Sequence, residues 1–155
     1  MGAGHLRAKR EGGFLIAKIH QIAGRIFSRL LKEHGIEDIN PAQGRILFAL
    51  WQQDQVPIHV LARQTALKKS TLTSMLDRLE ADRFITRSVA PEDRRIMIVV
   101  LTDKSRRWQD IYTAVSDEMI GIFYAGISGD EISAFEQQLK QILTNLTNYE
   151  SPAIE

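Results

Sequence analysis

VLARQTALKKSTLTSMLDRLEADRFITRSVAPEDRRIMIVVLTDKSRR, residues 60–107, reads as helix, tight turn, helix, strand, charged loop and strand. Ile58, Leu61 and Ala62 recur at helical spacing up to Thr65, and Ala66-Leu67-Lys68-Lys69 breaks the pattern. The Ser70 hydroxyl is expected to cap a second helix by accepting a bond from a free first-turn amide. In that helix Leu72, Met75, Leu76 and Leu79 recur at three- and four-residue steps and form one stripe to be buried. Thr71, Thr73, Ser74, Asp77, Arg78 and Asp82 fall off the stripe. An amphipathic helix with a solvated face has the same pattern. Short hydroxyls followed by an arginine also suit a DNA major groove, where small side chains permit close approach and Arg supplies a phosphate or guanine contact.

The segment that follows favours the second reading. Phe84–Val89 and Ile96–Leu101 are strand-like runs rich in β-branched residues. Between them Ala90-Pro91-Glu92-Asp93-Arg94-Arg95 forms a charged loop, and Pro91 stops either element from continuing. Two adjacent arginines near the tip of a narrow hairpin can enter a minor groove, where the potential is most negative. Asp93, two residues before Arg95, can hold that guanidinium in one orientation. The expected fold class is mainly α with a small β-hairpin wing: a winged helix-turn-helix over about residues 41–101, with N- and C-terminal dimerisation helices at about 14–34 and 103–148, all within a single domain.

The segment resembles the DNA-binding core of the multiple antibiotic resistance regulator (MarR) family. The residues that carry the resemblance are STLTSMLDRLE at 70–80, PEDRR at 91–95 with its Asp-x-Arg element, and VVLTDKSR at 99–106. The resemblance implies a dimeric transcriptional regulator that binds a pseudo-palindromic double-stranded operator and is often released by a small phenolic or other aromatic acid. By position it implies DNA contacts for Ser70, Thr71 and Thr73, a phosphate contact for Arg78, and a minor-groove wing contact for Arg95 with Asp93 orienting it; Lys69, Ser74 and Arg94, beside them, complete the expected DNA-binding set. There are departures. Ser74 stands where many members carry a base-reading Arg, so the operator sequence cannot be transferred from relatives. Ala66, Arg83 and Ser105 stand where glycine is frequent.

Composition agrees with a globular protein: 155 residues, 44% hydrophobic and 25% charged. No apolar run reaches the length of a membrane span, no signal peptide is expected, and the chain is read as cytoplasmic. The net charge of +1 is unevenly spread. Residues 63–107 carry eleven Lys and Arg against six acids, whereas residues 108–155 carry one Lys against eight acids. Cations therefore gather around the proposed reading helix and wing, where phosphate neutralisation needs them.

Flanking this core, residues 1–13 are expected to be frayed, and Phe14–Glu33 a helix with a wide stripe of Leu15, Ile19, Ile22, Ile26 and Leu30, ended by Gly35 in a left-handed conformation. Asn40 caps the next helix with Pro41 at its first position. Val56-Pro57 is expected to add a short third strand. Thr102 caps a helix from Asp103 to about Ala125, Ser128 with Glu131 forms a capping box, and Ser151–Glu155 is a tail. The outer helices have more apolar surface than one small winged domain can cover, which self-pairing would solve.

Other chemistries are poorly supported. Cysteine is absent, which excludes disulfides and thiol-based sensing. His5, His20, His34 and His59 lie far apart with no ligand spacing, so no metal is expected. No cofactor motif, glycine-rich phosphate loop or nucleophile elbow is present, so the chain is not read as an enzyme. His20, Trp51, Trp108 and Tyr112 are the candidates to line an effector cavity, each equally explicable as packed core or surface. The rival readings are a winged-helix protein-interaction module and a metal-responsive regulator. Arg94 and Arg95 beside a basic helix speak against the first, and the scattered histidines against the second.

Overall fold

The computed structural model of the chain describes residues 10–37 and 39–151. Most of the expected frayed N-terminus and most of the expected tail lie outside the described residues. The described chain forms α1 (Gly12–Glu33), α2 (Pro41–Gln52), β1 (Val56–Pro57), α3 (Ile58–Thr65), α4 (Lys69–Ala81), β2 (Ile85–Val89), β3 (Met97–Leu101), α5 (Asp103–Phe123) and α6 (Gly129–Glu150). It divides into two compact units, the first ending at Asp117 and the second beginning at Glu118, so the boundary falls within α5.

The first unit holds the winged helix-turn-helix. Ile46, Leu47 and Leu50 of α2, Leu61 of α3, and Leu72, Leu76 and Leu79 of α4 are all fully buried. They meet Val56, Ile85 and Val99 of the sheet, which are buried as well. The three strands are antiparallel in the order β1-β3-β2, with Val56 opposite Val99 and Arg87 opposite Val99 on its other side. β2 is therefore an edge strand. The third strand expected at Val56-Pro57 is present, and the two wing strands each begin one residue later than expected.

Helix ends follow from local chemistry. Asn40 caps α2: its Oδ1 accepts from Gln43 N at 2.8 Å, and Gln43 Oε1 accepts from Asn40 N at 2.9 Å. At the end of α1 the Gly35 amide donates to Lys32 O and the Ile36 amide to Leu31 O, with Gly35 at φ +87°. This is a left-handed helix stop with a buried Leu31–Ile36 pair beneath it. α1 itself starts at Gly12, two residues before the expected Phe14, because the Leu15 amide already donates to Glu11 O at 2.8 Å. Ser70 does not cap α4. The cap position is Lys68, which has extended backbone and makes no side-chain cap bond, so Ser70 lies inside the first turn. Thr102 does cap α5, its Oγ1 accepting from Ser105 N at 3.4 Å.

Two of the three departures from family glycines are backbone departures. Ala66, in the turn between α3 and α4, sits at φ +55°, and Arg83, before β2, at φ +64°. A residue with a Cβ is strained in this left-handed region by roughly 1–2 kcal/mol. The third departure, Ser105, is fully buried and its Oγ has no hydrogen-bond partner among the described residues.

The second unit contains the end of α5 and all of α6. Ser128 caps α6, with Glu131 N donating to Ser128 Oγ at 3.2 Å and Ser128 Oγ donating to Glu131 Oε1 at 2.8 Å. The carboxylate thus takes the cap hydroxyl and not the cap backbone amide of the expected box. Phe135, Ile142, Leu143, Leu146 and Tyr149 of α6 are exposed.

Replacing Ala66 or Arg83 by glycine removes the left-handed penalty but adds unfolded-chain entropy worth roughly 0.4–1 kcal/mol. Each substitution is expected to raise stability by a net few tenths to about 1 kcal/mol, read as a higher urea midpoint with an unchanged slope. A lower midpoint for both would show that the two turns carry no backbone strain.

Candidate nucleic-acid interface

Once α4 buries Leu72, Leu76 and Leu79, the remaining residues must face outward. Lys69, Ser70, Thr71, Thr73, Ser74, Asp77 and Arg78 are all exposed. The first turn points its free backbone amides and the positive end of the helix dipole the same way. Thr73 Oγ1 donates to Lys69 O at 2.8 Å, so its hydroxyl proton is engaged and the oxygen is left to accept.

The wing is a loop closed at its base by the Ala90 amide donating to Ile96 O at 2.8 Å. At its tip Asp93 Oδ1 accepts from the Arg95 backbone amide at 3.0 Å and from Arg95 Nε at 3.1 Å, while Oδ2 accepts from Nη2 at 3.0 Å. The paired guanidinium keeps the Asp93 carboxyl below its ordinary range. Arg95 is nevertheless 89% exposed along its side chain. The guanidinium is therefore aimed but not covered. Arg94, beside it, is exposed.

Helix and wing converge. A groove of about 460 Å³ between them is lined by His59 of α3, Lys69 and Leu72 of α4, and Arg95, Ile96 and Met97 of the wing. Arg78, at the other end of α4, opens on a separate groove of about 800 Å³ with Ser28, Asn40 and Asp82.

Sequence reasoning missed three contacts that hold this surface in place. Arg87 on β2 bonds both Asp77 and Glu80 of α4. Asp54, in the turn after α2, accepts from the Leu101 amide at 2.9 Å and from Arg106 Nη2 at 2.9 Å, fixing the exit of the wing. Asp54 is 47 residues from Leu101, and no local pattern links them. Lys104 adds a third clamp, its Nζ donating to Asp82 O at 2.8 Å and lying 4.3 Å from the Phe84 ring centroid.

Residues 39–97 match the family model described as MarR family. This segment, 59 of the 155 residues, is what the chain shares with the MarR family. The matched segment is the DNA-binding part of transcriptional regulators. The match covers the helix-turn-helix and most of the wing. It is similar to the HTH-type transcriptional regulator SarZ of Staphylococcus haemolyticus, 27% identical over 123 residues that span 79% of this chain and 80% of the relative. Among solved structures it resembles a probable transcriptional regulator from Pseudomonas aeruginosa, 25% identical with a TM-score of 0.74, over 84% of this chain and 95% of that one. A mutant MarR from E. coli complexed with operator DNA matches at 25% identity and a TM-score of 0.74, over 84% of this chain and 92% of that one.

The four candidate effector residues have different surroundings. Trp51 and Tyr112 are in contact, ring centroids 4.8 Å apart, and Phe27 packs edge-on to Tyr112 at 5.2 Å. Gly44 makes room for this group, since a Cβ there would stand 2.6 Å from the Tyr112 hydroxyl. The Trp51 indole N–H is buried without an acceptor among the described residues. Trp108 packs instead against Phe84 at 4.9 Å. His20 lines a third groove with Arg25, Ser28 and Pro41.

Burial pushes the Tyr112 phenol up to about 12, with the Arg45 charge opposing. A folded pKa above the unfolded value of about 10 means that the neutral phenol's contribution is complete below about pH 10 and is lost as pH rises towards 12. The parent chain should therefore lose more stability across that window than Tyr112→Phe, measured by urea unfolding at several alkaline pH values. Parallel losses in the two proteins would place the phenolate in water.

Proposed function

We propose that the chain is a homodimeric transcriptional repressor that reads a pseudo-palindromic operator with Ser70–Arg78 in the major groove and Arg94 and Arg95 in the flanking minor groove. The observation that carries the reading is the joint geometry of α4 and the wing. One helix face presents short hydroxyls and Asp77 between two cations, and a neighbouring guanidinium is held by Asp93 while staying open to solvent. The operator complex of the E. coli relative supports a DNA-binding role for the chain.

Thr73 favours base-edge donors, because its own proton is engaged with Lys69 O. The adenine and cytosine amino groups are such donors in the major groove. Lys69 and Arg78, at the two ends of the reading face, take phosphates.

Pairing of two chains is supported by the apolar surface left open on the outer helices. Phe14, Leu15, Ile16, Ile19 and Ile22 of α1 are exposed, as are five large apolar residues of α6. A two-fold pair sets two reading helices about 34–36 Å apart, one turn of DNA. A dimer bound at a promoter blocks polymerase without further contacts, hence repression. A small aromatic acid is the effector we assign, and Trp51 and Tyr112 are its best-supported contacts, since the buried indole N–H is a donor in want of an acceptor. Filling that position would alter the elements that carry the reading helix.

The test is a fluorescence-anisotropy titration against the promoter region upstream of the chain's own gene, across a salt series. The parent should prefer it over scrambled DNA with a steep salt dependence. Arg95→Ala should weaken binding by about 1–3 kcal/mol and reduce the salt slope by about one. Asp93→Ala should weaken it less, because the charge stays and only its orientation is lost. Unchanged binding by Arg95→Ala would remove the wing from the mechanism.

A further inference from the structure

The reading helix has a charge problem that its own sequence does not solve. Within α4 the cations Lys69 and Arg78 are matched by the anions Asp77 and Glu80, so the helix as a whole is neutral. Both acids are exposed, with side chains 61% and 41% accessible. Carboxylates on a helix laid against a phosphate backbone repel it, and one negative charge juxtaposed with another costs affinity.

Arg87 meets both acids from the adjacent strand. Its Nη2 donates to Asp77 Oδ1 at 2.7 Å and to Glu80 Oε1 at 3.1 Å, and its Nε donates to Glu80 Oε2 at 3.3 Å. Its backbone amide also donates to Glu80 Oε2, at 3.0 Å. β2 is an edge strand, so this amide is one that the ladder to β3 leaves over, and Glu80 satisfies it. One residue thus joins the wing to the reading helix by four hydrogen bonds and brings a cation to two acids. The Arg87 side chain is 21% accessible, far less than that of Arg95, and its guanidinium faces the helix acids and not an incoming groove.

Resting on the proposed reading of α4, we propose that Arg87 is a positioning residue for operator binding: it neutralises Asp77 and Glu80 and locks the wing to the reading helix, without contacting DNA itself. This role differs from that of Arg94 and Arg95, which meet the groove. It also accounts for the tolerance of acids at the C-terminal end of a DNA-reading surface. A helix with Asp77 and Glu80 is compatible with phosphate only if a strand beside it supplies the opposing charge.

The discriminating experiment is rescue. Arg87→Met, which keeps the aliphatic stem and removes the charge, should weaken binding to the promoter fragment about tenfold in low salt. Adding Asp77→Asn and Glu80→Gln to that background should restore affinity to within about threefold of the parent, because the repulsion that Arg87 opposes is then gone. Arg87→Lys should stay near the parent. The triple variant is informative even if Arg87→Met alone folds poorly, since neutral amides need no cation beside them. Unchanged binding by Arg87→Met overturns the proposal, as does a triple variant that stays weak, which would make Arg87 a direct DNA contact or a purely structural residue. The parent chain serves as the control for the underlying reading: failure to prefer the promoter fragment over scrambled DNA refutes the DNA-reading assignment of α4, whereas a binding parent with unrescued variants refutes only the role of Arg87.

Discussion

Leu72, Leu76 and Leu79 are fully buried on one side of α4, and their burial decides where every polar group of that helix points. Fully burying a leucine contributes about 1.5–3 kcal/mol. The three together therefore exceed by several-fold what the exposed ion pairs around the helix can contribute, at about 0–1 kcal/mol each. Rotating α4 to present a different polar face would expose these leucines to water. The reading face is thus set by its hydrophobic opposite, and the polar contacts refine an orientation that the core imposes.

The refinement comes from a few charged groups near the proposed reading surface. Asp93 orients Arg95 and leaves it open. Arg87 pairs with Asp77 and Glu80 and is itself mostly covered. Asp54 takes the Leu101 amide and Arg106 at the exit of β3, and Lys104 takes the last carbonyl region of α4 at Asp82. Arrangement, and not net charge, makes the surface suited to DNA, since the whole chain carries only +1.

Most of the fold could be read from periodicity. The stripes of α2, α3 and α4, the β-branched runs of the wing and the Asn40-Pro41 start are local signals, and each formed the element expected of it. The site was legible where its logic was local too: Asp93 and Arg95 are two residues apart and found each other. The missed contacts join residues distant in sequence. Arg87 meets acids seven and ten positions earlier on another element, and Asp54 meets an amide 47 positions later. The two acids at i and i+3 on a face proposed to meet phosphate were a signal that a cation had to come from elsewhere, though not which one. Ser70 misled for a different reason. A hydroxyl near a helix start is a good cap, but the chain turned into helix one residue before it, and Lys68 took the cap position with no side-chain bond.

The account stands most directly on where the protein touches DNA. Hydroxyl-radical footprinting of the promoter region upstream of the gene, combined with base-methylation interference, resolves major-groove from minor-groove contact. Two major-groove contact regions about one helical turn apart, each flanked outward by minor-groove protection, are the expected result for a pair of reading helices with wings. A single contact region, or protection with no major-groove interference, would contradict the assignment of α4 as the reading helix.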